Sequence, residues 1–163
     1  PVFARDVLHK GPIELGFLST GTGLGSFLGL LTLHFLRQRV SVGTLFVVGT
    51  GWMCGALAIF ALSRVYPLSW AMLLCAGMGM ACFGTLQSTI VLLSTSDTMR
   101  SRVMGIVVLA IGGDPLGQLQ IGTLAERFGV QKTLAGQASA ALLALVVIVM
   151  VAPGVLRPPV PRD

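Results

Sequence analysis

The residue best placed to do chemistry is Asp114, within the segment Gly112–Gly117. It is the only charged residue in the stretch from Val103 to Ala125. A carboxylate in such apolar surroundings must face a water-filled cavity, find a partner or take up a proton, which suits a proton or cation site. Pro115 and the neighbouring glycines weaken a helix locally. The alternative interpretation is structural: Asp114 caps the backbone groups that this weakness frees.

Two groups of polar side chains fall in equally apolar stretches. They are Gln87, Ser88, Thr89, Gln118 and Gln120. Such groups are suited to line an aqueous path, and the predicted proton or substrate path comprises Asp114, Gln87 and Gln118. The alternative is that the polar side chains form hydrogen bonds between neighbouring helices.

No set of residues fits a catalytic site. Ser26 and His34 would lie about 12 Å apart along one helix, too far for a nucleophile and its base. His34 and Glu14 are expected near helix ends, and an acid is favourable at a helix N-terminus. The glycine-rich segment Gly21–Gly25 lies inside an apolar run and follows no strand, so it does not predict a nucleotide site. The chain is therefore predicted not to be an enzyme.

Cysteine and charge usage exclude further classes. The three cysteines, Cys54, Cys75 and Cys82, show no ligand spacing, so neither a metal nor a cofactor is predicted. The formal net charge is +5, but the basic residues stand singly or in pairs between apolar runs and form no basic stripe. We therefore predict no nucleic-acid partner.

The elements that must position these residues are helices that span a membrane. Only 10% of the residues are charged, 54% are hydrophobic and the mean hydropathy is +0.88, whereas a soluble domain carries about 25% charged residues. Four long stretches carry no formal charge, and they lie at 15–36, 40–63, 65–96 and 133–156. Each stretch is long enough for one spanning helix of about 20 residues.

With Val103–Ala125 these stretches give five spans. The spans are expected at about residues 13–35, 42–62, 68–93, 103–124 and 133–155. Strands of a membrane β-barrel would alternate apolar and polar residues over about 10 positions, so the continuous runs predict an all-α integral membrane fold. Residues 1–156 form the transmembrane unit, and the tail 157–163 is expected to be disordered.

Glycines recur at intervals of four residues along several spans. The first span carries Gly21, Gly25 and Gly29, and the fourth carries Gly113 and Gly117. Such a face lets two helix backbones approach closely, which is how helices pack in lipid. We predict a tightly packed bundle with these five glycines at helix contacts. The alternative is that glycine is simply frequent in membrane helices.

Three segments resemble a known family. Residues 96–105, SDTMRSRVMG, are similar to the PDxxRGRVMG loop that precedes helix eleven of major facilitator superfamily transporters, with Ser101 where that family usually has Gly. Residues 115–129, PLGQLQIGTLAERFG, resemble the PLGxLxxGxLAExxG pattern along helix eleven of the same family. Residues 1–8 and the pair Leu15-Gly16 resemble the link between helices seven and eight. Within that family, the segments resemble the enterobactin-exporter-like and multidrug-efflux branch.

The resemblance implies that the chain is the C-terminal half of such a transporter. The five spans would be helices eight to twelve, an incomplete six-helix half of a major facilitator bundle, and the N-terminal half would be a missing partner. The loop residues Asp97, Arg100 and Arg102 and the tail would be cytoplasmic, in the inner (plasma) membrane of a bacterium. Loop charges alone do not decide the orientation, because the two sides hold six and five Lys or Arg residues.

The expected function is secondary active transport. The protein would export a small amphipathic molecule, such as a drug or a siderophore, as a proton antiporter. Its partners would be the lipid bilayer, this small-molecule substrate and the missing half, and the loop residues would form ion pairs that change with the transport state. The alternative is a non-transporting membrane subunit that packs against partner helices, which explains the glycine faces but not Asp114.

Overall fold

The structure is a computed structural model that describes residues 12–63, 65–96 and 98–151. These residues form six α-helices and no strand. The helices are α1 (Pro12–Leu36), α2 (Val42–Leu62), α3 (Tyr66–Ser94), α4 (Arg100–Gly112), α5 (Asp114–Phe128) and α6 (Val130–Val151).

Five helical stretches are long and apolar enough to span a membrane. Helices α1, α2, α3 and α6 provide one stretch each, while α4 and α5 together provide Arg100–Phe128. The predicted all-α integral membrane fold with five spanning helices is therefore confirmed. The fourth span consists of two helices that meet at Gly113, within the segment where the sequence predicts a locally weakened helix.

Local sequence explains where several helices begin and end. Ser41 precedes α2, and its hydroxyl accepts a hydrogen bond from the N–H of Thr44 at 3.2 Å, as an N-cap does. Pro67 lies in the first turn of α3, where its missing N–H costs little, so the helix begins at Tyr66 rather than at position 68. Gly129 ends α5 with a φ of 86°, a conformation that favours glycine.

Helix α3 is the central helix of the bundle and packs against both α1 and α2. Gly77 of α3 lies against the backbone of Thr22 and Ser26 on α1. Gly79 lies against α2, where an added Cβ would be 2.6 Å from the carbonyl oxygen of Gly49. Two residues that are two positions apart point about 200° away from each other on a helix. This pair of glycines therefore brings two different helices close to α3.

Aromatic side chains at the start of α3 fix its position relative to α1. The hydroxyl of Tyr66 donates to the carbonyl of Glu14 at 3.0 Å, and the indole N–H of Trp70 donates to the carbonyl of Phe17 at 3.1 Å. Tyr66 and Trp70 lie four residues apart, about one helical turn, so their two bonds follow one edge of the contact. They set the register in which the glycines of α1 meet α3.

The remaining helices are less enclosed. Helix α6 packs on α2, and α5 packs on α6, whereas α4 makes only small contacts with α3 and α5. None of the described side chains of α4 and α5 is buried. Large apolar side chains face outward, among them Leu109 (77% exposed) and Leu116 (72% exposed). In a bilayer such faces are covered by lipid or by other spanning helices.

Candidate functional site

The fourth span is interrupted at Gly113, which ends α4 and starts α5. Its N–H is shared between the carbonyls of Leu109 (3.2 Å) and Ala110 (3.3 Å), an arrangement common at helix ends. Its own carbonyl accepts from the N–H groups of Leu116 (3.0 Å) and Gly117 (3.3 Å). Gly113 thus closes the last turn of one helix and opens the first turn of the next.

Pro115 is the chemical reason for the break. It has no N–H, so the carbonyl of Ile111, four residues earlier, lacks the hydrogen bond that a regular helix would supply. A Cβ placed at Gly112 would meet nothing within 4 Å, so packing against a neighbour does not require glycine at this position. The break agrees with the local weakness that the sequence predicts at this point.

The backbone places Asp114 at the centre of the fourth span, as the first residue of α5. It lies midway between the two ends of Arg100–Phe128. In a bilayer this position is near the midplane, where an ionised carboxylate costs about 2.5–3.5 kcal/mol. The N-terminus of α5 carries the positive end of the helix dipole, which offsets part of that cost. Both roles predicted for Asp114, as a binding site or as a cap, are compatible with this position.

The other two residues of the predicted path lie on different helices. Gln118 follows Asp114 by four residues on α5, so the two residues share one face of that helix. Gln87 lies on α3, and α3 makes no extensive contact with α5 among the described residues. Gln118 therefore lies one helical turn from Asp114, whereas Gln87 lies on a helix that has no extensive contact with α5 in the described part of the chain.

The hydroxyl groups next to Gln87 are used within their own helix. Ser88 donates to the carbonyl of Gly84 at 3.4 Å, and Thr89 donates to the carbonyl of Thr85 at 2.8 Å. Such bonds to the preceding turn satisfy a hydroxyl without any neighbouring helix. Neither hydroxyl bonds to another helix in the part of the chain that the structure describes.

The predicted loop motif lies at one end of the bundle. Arg100 and Arg102 are exposed in the first turn of α4, while Asp97 is outside the described residues. Successive spans run in opposite directions, so the turn after α1, with the exposed Arg37 and Arg39, lies at the same membrane face. Among the described residues, this face carries four arginines and no acid.

The predicted packing glycines of the first span face α3. These are Gly21, Gly25 and Gly29. A Cβ at Gly29 would lie 2.6 Å from the carbonyl oxygen of Met78, and a Cβ at Gly25 would overlap the backbone of Leu74. A side chain at either position would force α1 and α3 apart.

The two glycines predicted on the fourth span have different surroundings. A Cβ at Gly117 would meet nothing within 4 Å, and one at Gly113 would meet only carbonyl groups of α4. A packing role for these two residues stays a prediction. Gly49, Gly77 and Gly79, which sequence reasoning did not single out, are in close helix contacts instead. The spacing Gly77-Met78-Gly79 is the signal for the two glycines of α3, because it places glycines on two faces of one helix.

Among the described residues, no group of three or more His, Cys, Asp or Glu side chains is placed to hold a metal ion. Spanning helices that are interrupted at mid-membrane beside an ionisable residue are typical of membrane transporters.

Comparison with protein families leads to the same class. The family model described as transmembrane secretion effector matches residues 1–156. The chain therefore belongs to this family of major facilitator type, and it is a transmembrane transporter protein. No curated protein and no solved structure matches the chain.

Proposed function

We propose that the protein is a proton-coupled antiporter that exports a small amphipathic molecule, such as a drug or a siderophore. The observation that carries this proposal is the position of Asp114, at the centre of a spanning stretch and directly after the break at Gly113. Pro115 leaves the carbonyl of Ile111 without its helical donor, and helix α5 begins near the bilayer midplane, where transporters bind ions and substrates.

The free-energy cost of a charge inside the membrane is the reason to propose that Asp114 takes part in proton coupling. Its neutral, protonated form is cheaper than its ionised form wherever water is excluded. The carboxyl group would therefore bind a proton on the side from which protons enter and release it where water reaches the break. A cationic or amphipathic substrate would bind the ionised form in exchange, so that proton and substrate move in opposite directions.

The polar neighbours would serve the substrate rather than the proton. Gln118 is one turn from Asp114 on α5 and carries an amide, a group that can both donate and accept hydrogen bonds. Gln87 belongs to the same path only if α3 and α5 approach each other in another state of the transport cycle. The small contacts of α4 are compatible with such a movement.

The place of the chain in the whole transporter follows from the sequence motifs. We assign it to the C-terminal half, as helices eight to twelve, in the enterobactin-exporter-like and multidrug-efflux branch. Its substrate site would be shared with an N-terminal half, and it would act by transport rather than by catalysis. The face with Arg37, Arg39, Arg100 and Arg102 would be the cytoplasmic face of a bacterial inner membrane, where Asp97 pairs with arginine in one transport state. The C-terminal tail would lie on that side too.

Transport itself is tested with cells that express the full-length gene. The cells are loaded with a fluorescent amphipathic dye, and efflux is followed with the proton gradient intact and after it has been collapsed. We expect efflux above that of vector controls with the gradient intact, and its loss on collapse. Efflux that continues unchanged after the proton gradient has been collapsed would refute proton coupling. No efflux of any dye from cells with abundant protein would favour the non-transporting subunit.

A further inference from the structure

The glycine contacts show how far α1 extends along α3. Three contacts share one offset along the chain: Gly21 with Trp70, Gly25 with Leu74 and Gly29 with Met78. The two helices therefore run in the same direction, and Leu36, the last residue of α1, lies level with Thr85. Helix α3 continues to Ser94, about 13 Å further. The turn that follows α1 thus lies beside the wall of α3 rather than at its end.

Helix α2 places this turn at the same height from contacts of its own. Leu45 of α2 packs with Leu86 of α3 and Leu33 of α1 in one buried cluster. Helix α2 begins at Val42, three residues or about 4.5 Å from Leu45. The start of α2 and the end of α1 are therefore both within one helical turn of this cluster, and α3 alone of the three helices passes beyond it.

The turn at residues 37–41 lies at the surface of the membrane. Helix α1 has 25 residues and α2 has 21, which correspond to about 37 and 31 Å. Both lengths are close to the roughly 30 Å hydrocarbon core of a bilayer. Helices of this length that meet at one turn set it in the layer of lipid headgroups. Residues 34–40 are all exposed, so their side chains are accessible to that layer.

Charge distinguishes this membrane face from the opposite one. The turn carries the exposed Arg37 and Arg39, and the start of α4 adds Arg100 and Arg102, with no acid among the described residues of the face. The described charges at the opposite face are balanced, with two acids and two bases: Glu14, Glu126, Arg127 and Lys132. A cationic surface in the headgroup layer attracts anionic lipids.

The types of side chain at the turn favour a phosphate group as the anion. A guanidinium presents paired N–H donors that match two oxygens of one phosphate. Gln38, between the two arginines, has an amide that also donates. Phe35, in the last turn of α1, is 67% exposed and offers apolar surface next to these donors. A lipid has this same combination, a phosphate directly above a hydrocarbon chain.

We propose that the turn Arg37–Arg39 binds the headgroup phosphate of an anionic phospholipid. The headgroup lies against the turn, beside the projecting end of α3, and the acyl chain passes the exposed ring of Phe35. This site is independent of the proposed export function, because it uses neither Asp114 nor the broken span.

The test measures lipid binding to the purified full-length protein by native mass spectrometry in detergent. Phosphatidylglycerol and phosphatidylcholine with identical acyl chains are titrated separately. We expect the apparent Kd for phosphatidylglycerol to be at least fivefold lower than that for phosphatidylcholine. The double variant Arg37→Gln/Arg39→Gln should lose this preference, and each single variant should weaken it at least twofold.

A matched variant separates the turn from overall charge. Arg127→Gln/Lys132→Gln also removes two positive charges, but from the opposite face, and should keep the preference. Thermal unfolding of every variant checks that it is folded. Equal binding of the two lipids by the unsubstituted protein, or equal losses in both double variants, would overturn the proposal. Displacement of the lipid by millimolar inorganic phosphate would show a site for free anions instead and would also overturn it.

Discussion

At the scale of single residues, the contacts of the bundle depend on positions where a side chain is absent. Gly25 of α1 and Gly79 of α3 are each so close to the neighbouring helix that a Cβ would overlap its backbone or nearly so. Close approach of this kind replaces the hydrophobic drive that lipid removes, because it increases van der Waals contact between helices. Gly23, two residues before Gly25, points away from α3 and has nothing within 4 Å of an added Cβ.

Substitution of Gly25 and Gly23 gives a matched pair. Gly25→Ala should lower the free energy of unfolding by about 1–3 kcal/mol, because the methyl group forces α1 away from Leu74. Gly23→Ala should be neutral or slightly stabilising, since alanine favours a helix and meets no neighbour. Thermal unfolding of the purified protein in detergent measures both. Equal effects of the two variants would contradict the packing described for α1 and α3.

Sequence alone predicts such positions only in part. The four-residue spacing of Gly21, Gly25 and Gly29 indicates a contact face on α1, and the structure places α3 there. The same spacing in Gly113 and Gly117 has no helix against it in the described residues. A four-residue glycine spacing indicates that one face of a helix lacks side chains. Which helix packs on that face depends on how the whole bundle assembles. For the same reason, spacing alone does not identify the helices that the glycines of α3 contact.

At the scale of elements, the fourth span is the one that departs from a regular helix. The helix is interrupted because Pro115 has no backbone N–H and because glycines precede it. Sequence predicts where this weakness lies, because Pro and Gly act locally. Sequence does not predict that α4 has so little contact with its neighbours, because that depends on residues distant in the chain.

Replacing the proline should join the two helices. Pro115→Ala restores an N–H for the carbonyl of Ile111 and removes a residue that costs a helix interior about 3 kcal/mol. Spin labels at the exposed Ile106 and Leu119, in a background without the native cysteines, report the change by pulsed electron paramagnetic resonance. A continuous helix would hold the two backbone positions about 20 Å apart in a narrow distribution. We expect this in Pro115→Ala and a broader, shifted distribution in the unsubstituted background.

The neighbouring substitution Leu116→Ala controls for the site. It also changes one exposed residue after the break but leaves Pro115 in place, so the broad distribution should persist. If the narrow distribution of a continuous helix were already present before any change at Pro115, the helix would be unbroken in the membrane, against the structure.

At the scale of the whole molecule, closely packed helices lie next to helices with few buried side chains. Helices α1, α2 and α3 are joined through glycine contacts and by hydrogen bonds such as that from Trp70 to Phe17. Helix α4 has no buried residue, and its end at Gly113 is held by shared backbone bonds. Segments with few buried contacts open at lower free energy than the core of a protein. The broken span is thus the part best suited to move.

Hydrogen exchange should reveal this division. In the full-length protein in nanodiscs, amides of residues 105–117 should exchange at least tenfold faster than those of residues 74–84 in the centre of α3. The physical reason is that the fourth span has few packing contacts and an interrupted series of backbone hydrogen bonds, so its amides are less protected. Uniform exchange along all spanning helices would contradict a distinct mobile span.

The most direct test of the central claim concerns Asp114 in the export assay. Dye efflux is compared between the unsubstituted protein, Asp114→Asn and Glu126→Gln, at equal abundance in the membrane and with the proton gradient intact or collapsed. Glu126 is the control, since it is an exposed acid at the far end of the same helix. We predict that Asp114→Asn lowers gradient-driven efflux at least tenfold and that Glu126→Gln retains it. Equal, gradient-dependent efflux by all three proteins would show that Asp114 is a structural cap and that proton coupling lies elsewhere.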